Sequence, residues 1–232
     1  MKKKLVLIAL FVLPIVAYLF FASGIYNFAN LPLKTDRVAD ISRFAGNEFK
    51  MVITEKEPLT LENHITLLAY VGDGLKGNTG YTANLNLMIY KYFERYEDFQ
   101  MVLFANPGSE EAIKDLKIEL NRIFDPSKMR FILADQEEIK SHFMSLNTGL
   151  SLMADGGHPD VFIIDRSLSL RSGHDEKKAN IYGYDFAQAV EMGYLKDDIK
   201  ILLAEYRLAL KKNDNASPQL EQRRPKKQRW NK

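Results

Sequence analysis

The chain contains no cysteine, and that absence decides most of the chemistry open to it. It can form no disulfide, no thiolate nucleophile, no iron–sulfur cluster and no cysteine-based zinc site. Histidine is the next candidate ligand, and four occur among the 232 residues. His158 stands in a glycine-rich loop directly before a proline, where Asp73 or Met153 would complete a hard or mixed metal site. The simpler interpretation is a solvent-exposed loop histidine, and the other three histidines lack ligand spacing.

A second glycine-rich stretch, "GDGLKGNTG" at residues 72–80, could be taken for a phosphate-binding loop. That motif requires a Gly-Lys-Ser/Thr sequence after its first glycine and four intervening residues, and this stretch does not have it. We therefore interpret residues 72–80 as a flexible loop. No Ser-His-Asp triad and no pair of carboxylates can be picked out among the 30 acidic residues. The sequence predicts no catalytic residue and no cofactor.

The first 24 residues have the order of a membrane-targeting segment. Three lysines, Lys2 to Lys4, precede an uncharged apolar run over 5–24, and about twenty helical residues span a hydrocarbon core. Lysines favour the cytoplasmic side. We therefore predict a single-pass transmembrane helix over 1–24 in the cell (inner) membrane, with the rest of the chain facing the periplasm or extracytoplasmic side. A cleaved signal peptide is the alternative, because "ASG" at 22–24 resembles a cleavage site.

Beyond the apolar run, the pattern alternates strands with helices. Residues 25–37 read as a linker, 38–212 as one folded domain, and 213–232 as a disordered tail without apolar periodicity. Within the domain, apolar runs predict strands at 49–53, 65–71, 99–105 and 129–134 and a hairpin turning at 165–167. Helical spacing predicts helices at 82–96, 107–123, 136–146 and 197–212. Tyr92 belongs to the apolar stripe expected on the first of these helices, and Ser109 can cap the second. Alternation of this kind predicts an α/β fold, a mixed sheet flanked by helices.

Charge is distributed unevenly along the chain. The net charge is +2, but the tail at 213–232 holds six basic and two acidic residues. With three lysines at the start and a net four positive charges at the end, residues 5–212 carry a net charge of −5. A basic tail alone is typical of nucleic-acid binding. The predicted location outside the cytoplasm favours anionic lipid head groups or envelope polymers instead, so we expect no nucleic-acid partner.

Three segments together with the N-terminal anchor resemble one known family. "LTLENHITLLAYVGD" at 59–73 resembles the lead-in to the first long strand of thioredoxin-fold proteins, and "DDIKILLAEY" at 197–206 resembles their closing helix. "GHPDVFIID" at 157–165 resembles the segment in which that fold places a cis-proline, here Pro159. Over 38–211 the chain is similar to the Sco/SenC-type copper chaperones and to peroxiredoxin-like proteins. The resemblance implies a thioredoxin-like sheet.

The family carries a cysteine pair in the loop after its first long strand, and this chain does not. The matching stretch, "VGDGLKGNTGYTAN" at 71–84, forms a degenerate active-site loop. Thiolates are the nucleophiles of disulfide exchange and soft ligands for copper(I), so neither activity carries over. Met144, Met153 and His158 would form the one residual soft-metal site. The residues of the degenerate loop that the resemblance singles out are Gly72, Asp73, Gly74, Gly77 and Asn78.

These observations favour a membrane-anchored, cysteine-less thioredoxin-like domain that acts as a non-catalytic interaction or assembly module of the cell envelope. Its expected partners are the membrane and envelope proteins. The alternative is a thiol-independent metallochaperone or enzyme that uses His158 and the glycine loop at 72–80.

Overall fold

The computed structural model describes residues 10–18, 30–50, 58–76, 78–173 and 182–212. Internal contacts divide the chain into two units, Met1–Asn30 and Leu31–Lys232. In the first unit, residues 10–18 form a helix. Across the described ranges, none of the helices combines the length and apolar character needed to cross a membrane. The predicted anchor over 5–24 extends beyond the described helix at both ends, so it stays a prediction.

In the described residues of the second unit, seven strands form one sheet. In sheet order the path runs β1-β6-β5-β2-β3-β4, and β7 pairs with β5 beside that path. β2, β3 and β4 are parallel to one another, whereas β5 runs antiparallel to β2. The strands are β1 (Leu33–Thr35), β2 (Ile65–Gly72), β3 (Phe99–Ala105), β4 (Met129–Leu133), β5 (Gly157–Ile164), β6 (Leu170–Arg171) and β7 (Tyr184–Asp185).

The central strands are covered on both faces. Every residue of β2 and β3 is buried, as expected for continuous apolar runs in a parallel sheet. The predicted strands at 65–71, 99–105 and 129–134 are confirmed. The predicted strand at 49–53 falls mostly outside the described residues, although Glu48 forms an isolated antiparallel bridge to Ile132 at the edge of β4.

Four helices follow strands in the second unit, and the first of them changes type along its length. This helix, α1, is a 3-10 helix over Thr79–Thr82, a π-helix over Leu85–Tyr90 and an α-helix over Lys91–Phe93. The others are α2 (Glu110–Leu120), α3 (Gln136–Met144) and α4 (Ala189–Lys212), and a separate 3-10 helix occupies Ser42–Asn47. A capping box starts α3, because Asp135 accepts from Glu138 N–H and Glu138 accepts in return from Asp135 N–H.

The helices divide between the two faces of the sheet. One core cluster packs α1, α2 and α4 against side chains such as Leu67, Leu103 and Ile163. The other cluster packs α3 and the stretches at 38–44 and 59–61 against the alternate side chains of the same strands. Period-2 alternation of side chains along a strand produces this division. Both faces are therefore closed by the chain itself.

The topology is that of one known fold. A parallel strand–helix–strand unit (β2, α1, β3) is followed by an antiparallel hairpin (β5, β6) and a closing helix (α4), with β4 added at the edge beside β3. The sheet is thioredoxin-like. The predicted mixed sheet flanked by helices is confirmed.

The predicted cis-proline is wrong. None of the described peptide bonds is cis, so the His158–Pro159 bond is trans. The hydrogen-bonded pairing of β5 with β2 shows why a proline is accommodated there. Ala69 pairs with Val161, but Val71 pairs with Gly157, so β5 bulges between these two pairs. Proline has no N–H to give to a ladder and is tolerated at bulges.

Part of the stretch predicted as a linker is ordered structure. β1 lies inside the 25–37 stretch and pairs with β6, Leu31 is buried, and the second unit begins at Leu31; the predicted bounds of linker and domain stay predictions. A strand of three residues with mixed polarity has too few positions to show an alternating pattern.

Candidate binding site at the carboxyl ends of the parallel strands

The degenerate loop lies where open α/β sheets place their sites. β2 and β3 are neighbouring parallel strands, so the loops that follow them meet at one edge of the sheet, outside the carboxyl ends of the strands. The loop at 72–80 follows β2, and the turn at 106–109 follows β3. A third loop, at 153–157, leads into β5 and faces both of them. Gly77 lies outside the described residues.

Gly72 closes the first loop against the third. Its φ is +51°, and a Cβ there would come within 2.3 Å of Asp155 O and 2.6 Å of Gly157 N. No side chain fits at that distance, and positive φ strains any L-residue other than Asn or Asp. Asn106 N–H also donates to Gly72 O at 3.1 Å. The start of the loop is therefore packed backbone, and the flexibility expected of residues 72–80 stays a prediction.

An ion pair follows Gly72 directly. Lys76 Nζ lies 2.6 Å from Asp73 Oδ1 and donates to Pro107 O at 3.1 Å. The Lys76 ammonium and, to a lesser degree, the Asn106 side chain hold the pKa of Asp73 below its usual range, although burial acts the other way. Lys76 thus links the loop after β2 to the turn after β3.

Asn106 connects all three loops. Its backbone N–H binds Gly72 O, and its Nδ2 donates to Asp155 O at 2.8 Å. Its Oδ1 has no hydrogen-bond partner, although the side chain is only 6% exposed. That oxygen faces Gly156, where a Cβ would lie 3.3 Å away.

Ser109 provides another unpartnered oxygen. It occupies the residue before α2, as predicted, but its side chain makes no capping bond, and its fully buried Oγ has no partner among the described residues. A buried polar atom without a partner costs about 1–3 kcal/mol. Asn86 Oδ1, in the π-helical part of α1, and Asp73 Oδ1, which is ion-paired with Lys76 but makes no hydrogen bond of regular geometry, complete a set of four such oxygens in the described part of the chain. Native proteins seldom leave such atoms without a hydrogen bond, and here all four lie in the loops or helices that follow β2 and β3.

Tyr81 forms the aromatic rim of the site. Its ring lies against Gly74, where a Cβ would come within 2.5 Å of it, and meets Phe186 edge to face at 5.3 Å. Burial raises the pKa of Tyr81, and the nearby carboxylates of Asp155 and Asp185 raise it further. Two carboxylates therefore lie near this rim.

His158 is buried rather than exposed, contrary to the simpler of the two interpretations. Its ring lies tilted against those of Phe143 and Phe162, with centroids 5.2 Å and 5.5 Å away, and its Nδ1 accepts from Asp160 N–H at 3.0 Å. Burial lowers the pKa of His158. Among the described residues no three His, Cys, Asp or Glu side chains form a group that could hold a metal. Met144 and Met153 are both exposed. The predicted metal site at His158 stays a prediction.

His142 is a buried histidine that sequence reasoning set aside. Its Nε2 bonds Ala39 O at 2.9 Å, and its Nδ1 bonds the Tyr70 hydroxyl at 2.7 Å. A carbonyl can only accept, so Nε2 carries the proton and Nδ1 accepts from Tyr70. Burial lowers the pKa of His142 to about 4. These two hydrogen bonds connect α3 to β2 and to the backbone at Ala39, so the role of His142 is structural.

Sequence reasoning also missed Asn106 and Lys76. A usable signal was present: "NPGS" at 106–109 directly follows a predicted strand, and the carboxyl ends of parallel strands share one edge. Only Ser109 was singled out, and only as a helix cap.

Comparisons with known proteins give the fold a context. The chain matches no protein-family model and no curated protein. Among solved structures it is similar to a thiol:disulfide interchange protein of the thioredoxin family from Chlorobium tepidum, at 13% identity and a TM-score of 0.39 over 75% of this chain and 99% of that one. The soluble domain of Sco1 from Bacillus subtilis has 11% identity and a TM-score of 0.42 over 74% and 94%. StoA from the same organism has 13% identity and a TM-score of 0.35 over 63% and 96%.

The likeness is one of fold. It agrees with the topology and with the resemblance seen in the sequence to thioredoxin-like and Sco-type proteins. Since all three TM-scores lie below 0.5, it carries no argument about activity.

Proposed function

We propose that this protein is a membrane-anchored, non-catalytic interaction or assembly module of the cell envelope, and that the edge of the sheet formed by its three loops is the binding surface. The observation that supports this most is the packing of Gly72. Where thioredoxin-like proteins carry reactive thiols, this chain has a closed backbone contact between Gly72 and Asp155.

The chemistry of the loops supports binding over catalysis. The chain has no thiol, and the Asp73 carboxylate is held ionised by Lys76. A carboxylate with a depressed pKa is a poor general base at neutral pH. What the loops offer are fixed hydrogen-bond acceptors and two carboxylates near the rim, which are features of a recognition surface.

Membrane anchoring and the extracytoplasmic location are part of the same proposal. Their support is the lysine-flanked apolar run over 5–24. A tethered module meets membrane-bound partners at a raised effective concentration, so a modest binding surface is sufficient.

Site-directed photo-cross-linking in cells tests the proposal. A benzoylphenylalanine would replace Met153, which is 44% exposed and contacts Gly157 at the rim. The matched control replaces Ile123, which is 52% exposed and follows the far end of α2. We expect a discrete cross-linked protein from position 153 and none from position 123.

Two outcomes would contradict the proposal. One is an identical set of cross-links from both positions, which would indicate random collisions. The other is turnover of a substrate by the purified full chain that is lost in an Asp73→Asn variant, which would place catalysis at this edge.

A further inference from the structure

The loop after β2, the turn after β3 and the loop that leads into β5 together form what we call the three-loop edge. We propose that this edge recognises a lysine or arginine side chain of a partner protein. This inference rests on the proposed binding function and names the chemistry of the partner. The occupant is a basic polypeptide segment whose cationic group enters between the loop at 72–76 and the turn at 106–109.

The chain's own lysine shows that an ammonium group fits there. Lys76 Nζ forms an ion pair with Asp73 Oδ1 at 2.6 Å and donates a hydrogen bond to Pro107 O at 3.1 Å. The side chains of Asp73 and Lys76 are 42% and 40% exposed, so the pair is open to solvent on one side. A second cation can approach Asp73 from that side.

The unpartnered oxygens indicate what the site lacks. Asn106 Oδ1 is an acceptor only, and Ser109 Oγ accepts as well as donates. Both side chains are more than nine-tenths buried, and both stand in the turn whose Pro107 carbonyl already binds Lys76. A lysine ammonium carries three donors and an arginine guanidinium carries five, so a cationic side chain supplies the hydrogen atoms that these oxygens are missing.

The carboxylates near the Tyr81 rim also favour a cationic side chain as the ligand. Asp155 lies in the third loop and Asp185 in β7, and both carboxylates raise the pKa of Tyr81 at the rim. Glu110 and Glu111 occupy the first turn of α2, where an anion would otherwise bind. Electrostatic complementarity of this kind speeds encounter and excludes wrong partners.

Binding of a fluorescein-labelled hexalysine peptide to the full chain, followed by fluorescence anisotropy, tests the inference. Hexaglutamate is the control peptide, and we expect no binding of it. Asp73→Asn should weaken hexalysine binding about tenfold, as expected for loss of a charge-assisted hydrogen bond. Glu119→Gln, an exposed change at the far end of α2 with the same loss of charge, should change it less than about twofold.

The Ser109→Ala variant separates specific recognition of the peptide from its general electrostatic attraction to the acidic domain, because the substitution alters no charge. Since Ser109 Oγ has no partner and makes no cap, the variant should unfold at an unchanged or higher urea concentration while binding hexalysine about threefold more weakly. Unchanged binding in Ser109→Ala and Asp73→Asn, or an equal loss in Glu119→Gln, would overturn the inference.

The chain's own basic tail is another source of cations, and one variant distinguishes it. In a chain that ends at Lys212, affinity for hexalysine within about twofold of the full chain supports an external partner. A gain of tenfold or more would show that the tail itself occupies the edge and would overturn the inference.

If position 153 cross-links a partner but Asp73→Asn binds hexalysine normally, the inference fails and the binding function stands. If position 153 gives no cross-link, the function itself fails.

Discussion

At the scale of single residues, the polar side chains of this domain fall into satisfied and unsatisfied groups. His142 is satisfied: both ring nitrogens have partners, and its ring lies 4.8 Å from that of Phe104. Asn106 and Ser109 each keep an oxygen without a partner. The first arrangement is what a core requires, and the second is the one on which the proposed binding site rests.

The pKa of His142 makes stability depend on pH in a defined direction. In the unfolded chain it protonates near its ordinary value of 6.5, whereas in the folded chain burial lowers its pKa to about 4. Between these values the unfolded state binds a proton that the folded state does not. The free energy of unfolding therefore falls as the pH is lowered through this window, by about 1.4 kcal/mol per pH unit from this group.

Urea unfolding of the full chain at pH 7, 6 and 5 measures this slope. His142→Gln lacks the titrating group, so the difference between wild type and variant isolates the contribution of His142 from those of the carboxylates. A difference that does not change with pH would show that His142 is protonated in the fold.

At the scale of elements, the loops are held by backbone contacts that admit no side chain. Gly72→Ala would place a Cβ within 2.3 Å of Asp155 O at a positive φ, so we expect it to lower the free energy of unfolding by about 3 kcal/mol. Gly46→Ala is the matched control, because nothing lies within 4 Å of the new Cβ, and it should change stability by less than about 0.5 kcal/mol. Equal urea midpoints for the two variants would show that the loop at 72–76 is not closed.

The elements also show what the sequence could and could not predict. Continuous apolar runs identified β2, β3 and β4 because a doubly covered strand needs apolar residues on both faces. The stripe on α1 was predicted less well: Tyr92 was expected inside, yet it is exposed and Tyr90 is buried. A π-helix has more residues per turn than the 3.6 assumed, so the buried face shifts.

The site was the least predictable part. Gly72 and Asp73 were identified by resemblance, but Asn106 and Lys76 were missed because their roles depend on loops far apart in the chain. The bulge at Pro159 likewise arises from how β5 pairs with β2, and no local pattern encodes such pairing.

At the scale of the whole molecule, the domain uses both faces of its sheet for packing, and the edge formed by the three loops is the surface that we propose for recognition. The helices α1, α2 and α4 close one face of the sheet. The other face is closed by α3 together with the stretches at 38–44 and 59–61. Residues 5–212 are acidic and both ends of the chain are basic, so a basic partner is attracted to the domain and not to the ends. The three-loop edge is the surface that remains for binding.

The size of the complex extracted from membranes is the measurement that tests the central claim most directly. Detergent extracts of cells expressing the wild type, Met153→Arg or Ile123→Arg would be separated by native electrophoresis and probed for this chain. Both substitutions put one positive charge on an exposed apolar position, at the three-loop edge and at the far end of α2 respectively. The account predicts a complex larger than the single chain for the wild type and Ile123→Arg, and its loss in Met153→Arg. A complex that survives in Met153→Arg, or is lost equally in both variants, would contradict it.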